Sequence, residues 1–186
     1  MIKILNPNLL IMKKLLLLTF LLIISIEGFS QSGTFGVRGG YNISNLDFDE
    51  LPATVNKHRN SIYIGFFADY RLSNTVSVVP EIQFSAEGAK DENLHLDYIQ
   101  APIVLKFKLS PRVRIGVGPQ VGWKVYKYND GIKEMAYSAV AALEYKINEV
   151  LFLDARYTYG FSNIFDENLN IEAKNRNIQI GVGYQF

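Results

Sequence analysis

Eight stretches of this chain alternate between apolar and polar residues with a period of two, and that pattern leaves little freedom of fold. They lie near 34–44, 61–72, 75–87, 94–109, 112–126, 134–147, 150–162 and 177–186. The last, NIQIGVGYQF, places Ile178, Ile180, Val182, Tyr184 and Phe186 on one face and Asn177, Gln179, Gly181, Gly183 and Gln185 on the other. A period of two marks a strand whose two faces meet different surroundings. No helical period of useful length follows residue 31. One face of the eight strands comprises 48 positions, none of them charged and none Asn, Gln, Ser or Thr, in a chain that is 20% charged. The opposite face carries Arg38, Asp69, Glu81, Glu87, Lys106, Arg114, Lys124, Glu144, Asp154 and Arg156 among small polar residues and glycines.

The connections alternate too. Ser73-Asn74, Ser110-Pro111 and Asn148-Glu149 are tight, whereas 45–60, 88–93, 127–133 and 163–176 are longer. Antiparallel neighbours joined in this way gather the tight turns at one end and the long loops at the other. No linker divides the strands, so residues 31–186 read as one domain.

Ahead of it, Lys13 and Lys14 precede an apolar run from Leu15 to Ile26, and Gly28-Phe29-Ser30 offers a small-residue cut site before Gln31. This is the layout of a secretory signal peptide over residues 1–30, with Met12 as an alternative start. Twelve residues of helix reach about 18 Å, short of the ~30 Å hydrocarbon core, so the run is not read as a transmembrane helix.

An uncharged face of this size has two homes. In a soluble barrel or sandwich it points inward. In a membrane barrel it points at lipid and the charges point in. Export favours the second. So does the asymmetry of turns and loops, since outer-membrane barrels have short periplasmic turns and longer extracellular loops. The aromatics decide it. Phe35, Tyr70, Phe107, Tyr145, Tyr184 and Phe186 fall toward the turn end, and Tyr41, Phe84, Trp123, Tyr137, Tyr159 and Phe161 toward the loop end, with aliphatic residues between. Two girdles around an aliphatic belt match two membrane interfaces. The expected fold is all-β: an eight-stranded antiparallel up-and-down transmembrane β-barrel, integral to the outer membrane of a Gram-negative cell and in contact with its lipid.

Eight strands enclose an interior that side chains fill, and charges buried there must pair. Arg38, Glu81, Asp154 and Arg156 fall near mid-height and are expected to form an ion-paired plug, with Glu81 bridged to Arg38 or Arg156. Toward the periplasmic mouth stand six basic residues, Arg71, Lys106, Lys108, Arg112, Arg114 and Lys146, against Asp69 and Glu144. Such a ring attracts anions, although a solvated rim is its ordinary reading. Pro80, Pro102 and Pro119 interrupt strands, so bulges or register breaks are expected there. A further bulge is expected near Tyr98, where apolar phase passes from Leu94, Leu96 and Tyr98 to Ile99, Ala101 and Ile103.

Little points to chemistry. The chain has no cysteine and two histidines, which excludes disulfides and thiolate metal sites. A net charge of +1 gives no basic excess for nucleic acid. His58 and His95 lie at the loop end near Asp47, Asp49, Ser61, Asp91 and Glu92, in no recognisable catalytic spacing. No phosphate-binding glycine loop or HExxH occurs. No catalytic residue, metal or cofactor is therefore assigned. Alternatives are a small lipid- or peptide-modifying enzyme using a loop histidine, and an exported soluble barrel holding an apolar ligand.

Three stretches, VVPEIQFSAEGAK, LDYIQAPIVLKFKL and LDARYTYGFSNI, resemble the third, fourth and seventh strands of the PorT-like outer-membrane β-barrel proteins of Bacteroidota, with Tyr157, Gly160 and Asn163 matching in the last. The likeness runs over 33–186 and implies an eight-stranded outer-membrane barrel. One branch of that family takes part in protein secretion, which implies an envelope or secretion partner, and no catalytic residues carry over. The final alternating strand, ending on Tyr184 and Phe186, also resembles the signal read by the barrel assembly machinery.

Overall fold

The computed structural model describes residues 33–48, 57–126, 131–166 and 172–186. The signal-peptide expectation for 1–30 and part of the first, third and fourth loops lie outside the described residues. Eight strands, β1 (Gly33–Phe48), β2 (Arg59–Arg71), β3 (Val76–Gly88), β4 (His95–Lys108), β5 (Val113–Lys124), β6 (Met135–Lys146), β7 (Leu151–Gly160) and β8 (Ala173–Gln185), form a barrel closed in sequence order. Closure follows from the last strand, where β8 pairs antiparallel with β1 from Gly36↔Gln185 to Phe48↔Ala173. A strand bathed in hydrocarbon has no water for its backbone groups, so an open edge is not tolerated.

Burial alternates as the period-two pattern requires. On β7, Phe152, Asp154, Arg156 and Thr158 are buried, while Leu153 and Tyr157 are exposed. Ile64, Ile82, Ile103, Val117, Leu143 and Ile180 all stand outward and exposed, an apolar band far larger than a water-soluble surface carries. Phe35, Tyr145, Tyr184 and Phe186 border it at the turn end, and Tyr41, Trp123, Tyr137 and Phe161 at the loop end.

The three turns share one design. Ser73 Oγ accepts from the backbone N–H groups of Thr75 and Val76, Ser110 Oγ from those of Arg112 and Val113, and Asn148 Oδ1 from those of Val150 and Leu151. A short polar side chain that satisfies two turn donors is the usual role of Ser and Asn at such positions.

Two expectations about register are corrected. No bulge lies near Tyr98: the β3–β4 and β4–β5 pairings keep one register from end to end. Leu96 and Tyr98 point inward like Gln100 and Lys106, so the change is in what the interior is made of, not in the backbone. At the prolines the ladder lapses without a slip. Pairing between β2 and β3 breaks off between Phe67↔Glu81 and Tyr70↔Val78, beside Pro80, and resumes in the same register. The same happens beside Pro102 and Pro119, each time on the side of the preceding strand. A missing donor removes a rung, but no extra residue is needed to accommodate it. The insertion that the pairing does contain lies on β2. From His58↔Ala89 to Tyr63↔Ser85 there are five steps on one chain and four on the other, which is a bulge.

β1 and β8 are longer than their apolar alternation, β1 running on to Phe48 and β8 starting at Ala173. There the polarity inverts. Leu46 and Ala173 are buried inside, while Arg176 and Asp47 form an ion pair outside. Above the lipid band the outer solvent is water, and the ordinary apolar-in arrangement returns.

Candidate functional site

The interior is a stack of side-chain layers, and each layer follows from strand parity. At mid-height, β1, β3 and β7 bring together Arg38, Glu81, Asp154 and Arg156, the four residues named from sequence. Arg156 donates from both terminal nitrogens to the Glu81 carboxylate at 2.7 Å each, and from Nε to Asp154 at 2.8 Å. Arg38 donates to Asp154 and sets its Nε 3.2 Å from Glu81 Oε2. The four alternate in charge around a closed ring, and each is under 10% exposed. Tyr63 donates its hydroxyl to Asp154 at 2.8 Å, and its ring lies 4.9 Å beneath the Arg38 guanidinium. Gln83 and Gln179 accept from the remaining Arg38 nitrogen. Buried ions are tolerable only when opposite charge and hydrogen bonds replace their water, and this ring supplies both.

Toward the turns lies a second neutral group. Lys106 donates to Glu144 at 2.8 Å, and Arg114 bridges Glu144 and Asp69 at 2.7 Å and 2.5 Å. Between the two groups Phe67, Phe152, Val79 and Val104 form an apolar layer, the two rings meeting edge-on at 5.7 Å. Lys106 Nζ sits 5.5 Å and 5.8 Å from their centroids, a cation–π arrangement.

Glycines make room for these large groups. A Cβ on Gly36 would stand 2.3 Å from the Phe67 ring and one on Gly181 2.2 Å from the Tyr63 hydroxyl. Gly36 and Gly122 sit beneath inward side chains, the rings of Phe67 and Tyr98. Gly118 answers instead to backbone, with Ile103 O 1.9 Å from a built Cβ, next to the Pro119 lapse.

Toward the loops the interior is polar and then apolar. Glu87 is buried and accepts from Ser85 at 2.7 Å, Gln100 at 2.8 Å, Asn177 at 2.9 Å and Asn175. A small cavity lies beside it, lined by Gln120, Ser138, Thr158 and Asn175 among others. Above, Leu46, Leu96, Tyr98 and Ala173 from the strands pack with Ile132, Ile164 and Phe165 from the loops into a cluster that caps the barrel. The third and fourth loops are stitched together by the Ile132↔Phe165 bridge and by Lys133 N–H donating to Ile164 O at 2.8 Å. Asn163 Oδ1 accepts from the N–H groups of Phe165 and Ala173 and holds the fourth loop down. Sequence reading missed this lid. Its signal was Leu94, Leu96 and Tyr98, inward apolar residues taken for a shifted register.

The histidines are not brought to a cleft. His58 is exposed and opposes Ala89, and His95 is half-buried opposite Gly88. Ser61, near them in sequence, donates to the carbonyl of Ala86 at 2.5 Å. Among the described residues no group of three or more His, Cys, Asp or Glu side chains is arranged to hold a metal ion. The interior offers charged rings and a filled apolar layer, which does not fit the alternative of an apolar ligand held inside. At the far end, Tyr184 and Phe186 are exposed with ring centroids 6.3 Å apart, and Phe186 N–H donates to Phe35 O at 2.9 Å.

The family described as outer membrane protein beta-barrel domain matches residues 16–186. Neisserial surface protein A superposes with a TM-score of 0.57 at 13% identity, over 84% of this chain and 100% of that one. Ail, the attachment invasion locus protein of Yersinia pestis, superposes with a TM-score of 0.52 at 18% identity in its complex with the heparin analogue sucrose octasulfate, and 0.50 at 17% without it, each over 84% of this chain and 100% of that one. At such identities these two show a common fold and nothing finer. Among curated protein sequences none matches.

Proposed function

We infer a role for this chain from a premise now in hand: it belongs to the outer membrane protein beta-barrel domain family and is integral to the outer membrane. Within that family we read it as a non-enzymatic barrel with a plugged interior, exported by residues 1–30 and serving envelope structure, surface interaction or a protein-secretion assembly. The observation that carries this reading is the Arg38–Glu81–Arg156–Asp154 ring, whose four charges are spent on one another at mid-height. A catalytic group needs an unspent lone pair or proton within reach of substrate, and a conducting pore needs room beside its charges.

The loop end is then the working end, and the described parts of the third and fourth loops pack into the apolar lid there. The PorT-like resemblance favours a partner within a secretion or envelope assembly. Tyr184 and Phe186 act as the signal for the barrel assembly machinery. Replacing His58 and His95 together with alanine tests the non-enzymatic reading. The expected result is an unchanged lipid A profile and unchanged surface proteolysis in intact cells; loss of a modification or cleavage overturns it. Crosslinking from cysteines placed in the loops identifies the partner.

A further inference from the structure

We propose that the periplasmic mouth of this barrel is a docking site for an acidic peptide segment presented from the periplasm. The site lies at the end opposite the loops, so it stands or falls separately from the reading above.

Two rings of inward positions line this mouth, one residue pair apart. The inner ring is Asp69, Lys106, Arg114 and Glu144, and it is neutral and mutually bonded. Two residues nearer the turns on the same four strands or their ends stand Arg71, Lys108, Arg112 and Lys146. This outer ring is wholly basic, and among the described residues none of the four has an ion pair. Two acids act on the charge of Lys146, Glu144 of the inner ring and Glu149 of the adjoining turn, and neither is ion-paired to it.

Like charges crowd together in this outer ring. Lys108 lies directly opposite Arg114 in the β4–β5 ladder. Lys146 N–H donates to the carbonyl of Arg112, so those two are neighbours as well. Beside the attraction of Glu144 and Glu149, Lys146 also lies in the field of the positive charges of Arg114 and Arg71, the latter on the far side of the mouth. Like charges placed opposite one another in a sheet destabilise it. A fold that ion-pairs every charge of its inner ring and, among the described residues, none of its outer ring leaves the outer one for an anion from elsewhere.

The turns repeat this arrangement. Each begins with a cation followed by an aliphatic residue and a turn-closing Ser or Asn: Arg71-Leu72-Ser73, Lys108-Leu109-Ser110 and Lys146-Ile147-Asn148. Leu72, Leu109 and Ile147 are about half exposed on the lipid side, and strand parity puts the cations on the lumen side. Arg112 alone leans to the lip, donating to the Tyr145 hydroxyl at 3.4 Å.

These positions favour a water-borne chain over a lipid headgroup. Headgroups of the inner leaflet stand outside the barrel wall, behind Leu72, Leu109 and Ile147, whereas the cations border an opening that faces water. Behind that opening the lumen is filled by the paired inner ring and the Phe67–Phe152 layer. The occupant is thus something that enters from the periplasm and stops there. Several carboxylates along one chain satisfy cations spread around a rim better than a single small anion does, and charge complementarity of this kind also steers encounter.

The test uses the full chain in nanodiscs of zwitterionic phosphatidylcholine and a fluorescent polyglutamate peptide, followed by anisotropy. Saturable binding is expected, weakening as salt rises from about 50 to about 300 mM because exposed pairs are screened. The Arg71→Gln/Lys108→Gln/Lys146→Gln variant is expected to bind roughly tenfold or more weakly, while a loop-end Lys57→Gln/Lys90→Gln control binds like the parent. Heat-modifiable gel mobility reports whether the triple variant is folded. If it is not, the three single variants replace it, each expected to lose roughly twofold to threefold. Absent binding, or equal binding by parent and folded rim variants, overturns the proposal. So does native mass spectrometry in which the parent retains phosphatidylglycerol that the rim variants shed while neither binds peptide, since the ring is then a lipid site.

Discussion

The ring of Phe152 occupies the space that any side chain on Gly183 would need. The two residues face each other across the β7–β8 ladder, and a Cβ built on Gly183 stands 2.0 Å from the ring's Cζ. Phe152 is 2% exposed and wedged against Phe67, so it has nowhere to move. The glycines of the last strand are therefore sockets for the interior. Gly181 serves Tyr63 in the same way.

Gly183→Ala is accordingly expected to destabilise the barrel by about 1–3 kcal/mol, the usual cost of overpacking. Adding Phe152→Leu to it recovers part of the loss, because the three atoms nearest that Cβ all belong to the Phe152 ring. Urea unfolding in lipid vesicles measures the cycle. Additive effects of the two changes exclude the socket.

The mid-height ring makes a second prediction. Glu81→Gln leaves the Arg156 and Arg38 guanidiniums buried with one carboxylate between them, and is expected to cost about 3–5 kcal/mol. Replacing Glu81 and Arg156 together by Gln and Met costs less than the sum of the single changes, since no charge is then stranded by the loss of the pair. The same unfolding assay reads the coupling, and a coupling near zero rejects the pairing.

A third concerns the continuous register of β4. Spin labels on cysteines at 97, 99, 101 and 103 should alternate in accessibility with labels at 96, 98, 100 and 102 along the whole strand, although the solvent met outside changes from water to lipid on the way. A label at 98 that meets lipid-dissolved oxygen as freely as one at 99 would bring back the bulge that the β3–β4 pairing lacks.

The fourth concerns the end of the chain. Phe186 is 67% exposed and contributes one backbone bond to Phe35, so its removal costs the folded barrel little. Its deletion is expected to lower the amount assembled in the outer membrane while leaving in vitro refolding near normal. Normal surface levels, measured by protease shaving of intact cells, remove the assembly role.

The strands, their direction and their inside and outside faces were readable in the sequence because lipid demands a clean period of two: a charge on the outer face has no water to retreat to. Arg38, Glu81, Asp154 and Arg156 were legible as a group for the same reason, since parity puts them inside and counting along each strand puts them at one height. The pairing of those four was not contained in any single strand. Neither was the split between a neutral inner ring at Asp69, Lys106, Arg114 and Glu144 and an outer one without ion pairs at Arg71, Lys108, Arg112 and Lys146, which needs the stagger between strands.

Misreadings arose where the surroundings changed and the rule did not. Near Tyr98 the inward residues turn apolar because loops close over the barrel there, and a one-face reading took that for a slipped register. The upper ends of β1 and β8 went unrecognised because their outer face meets water, so Lys174 and Arg176 broke the expected alternation. Sequence periodicity reports which solvent each face of a strand meets, and so it determined the membrane barrel by itself. Only the closed tertiary structure decided which interior groups meet, because those contacts run across the lumen between strands far apart in the chain, where only shear and closure bring side chains to the same point.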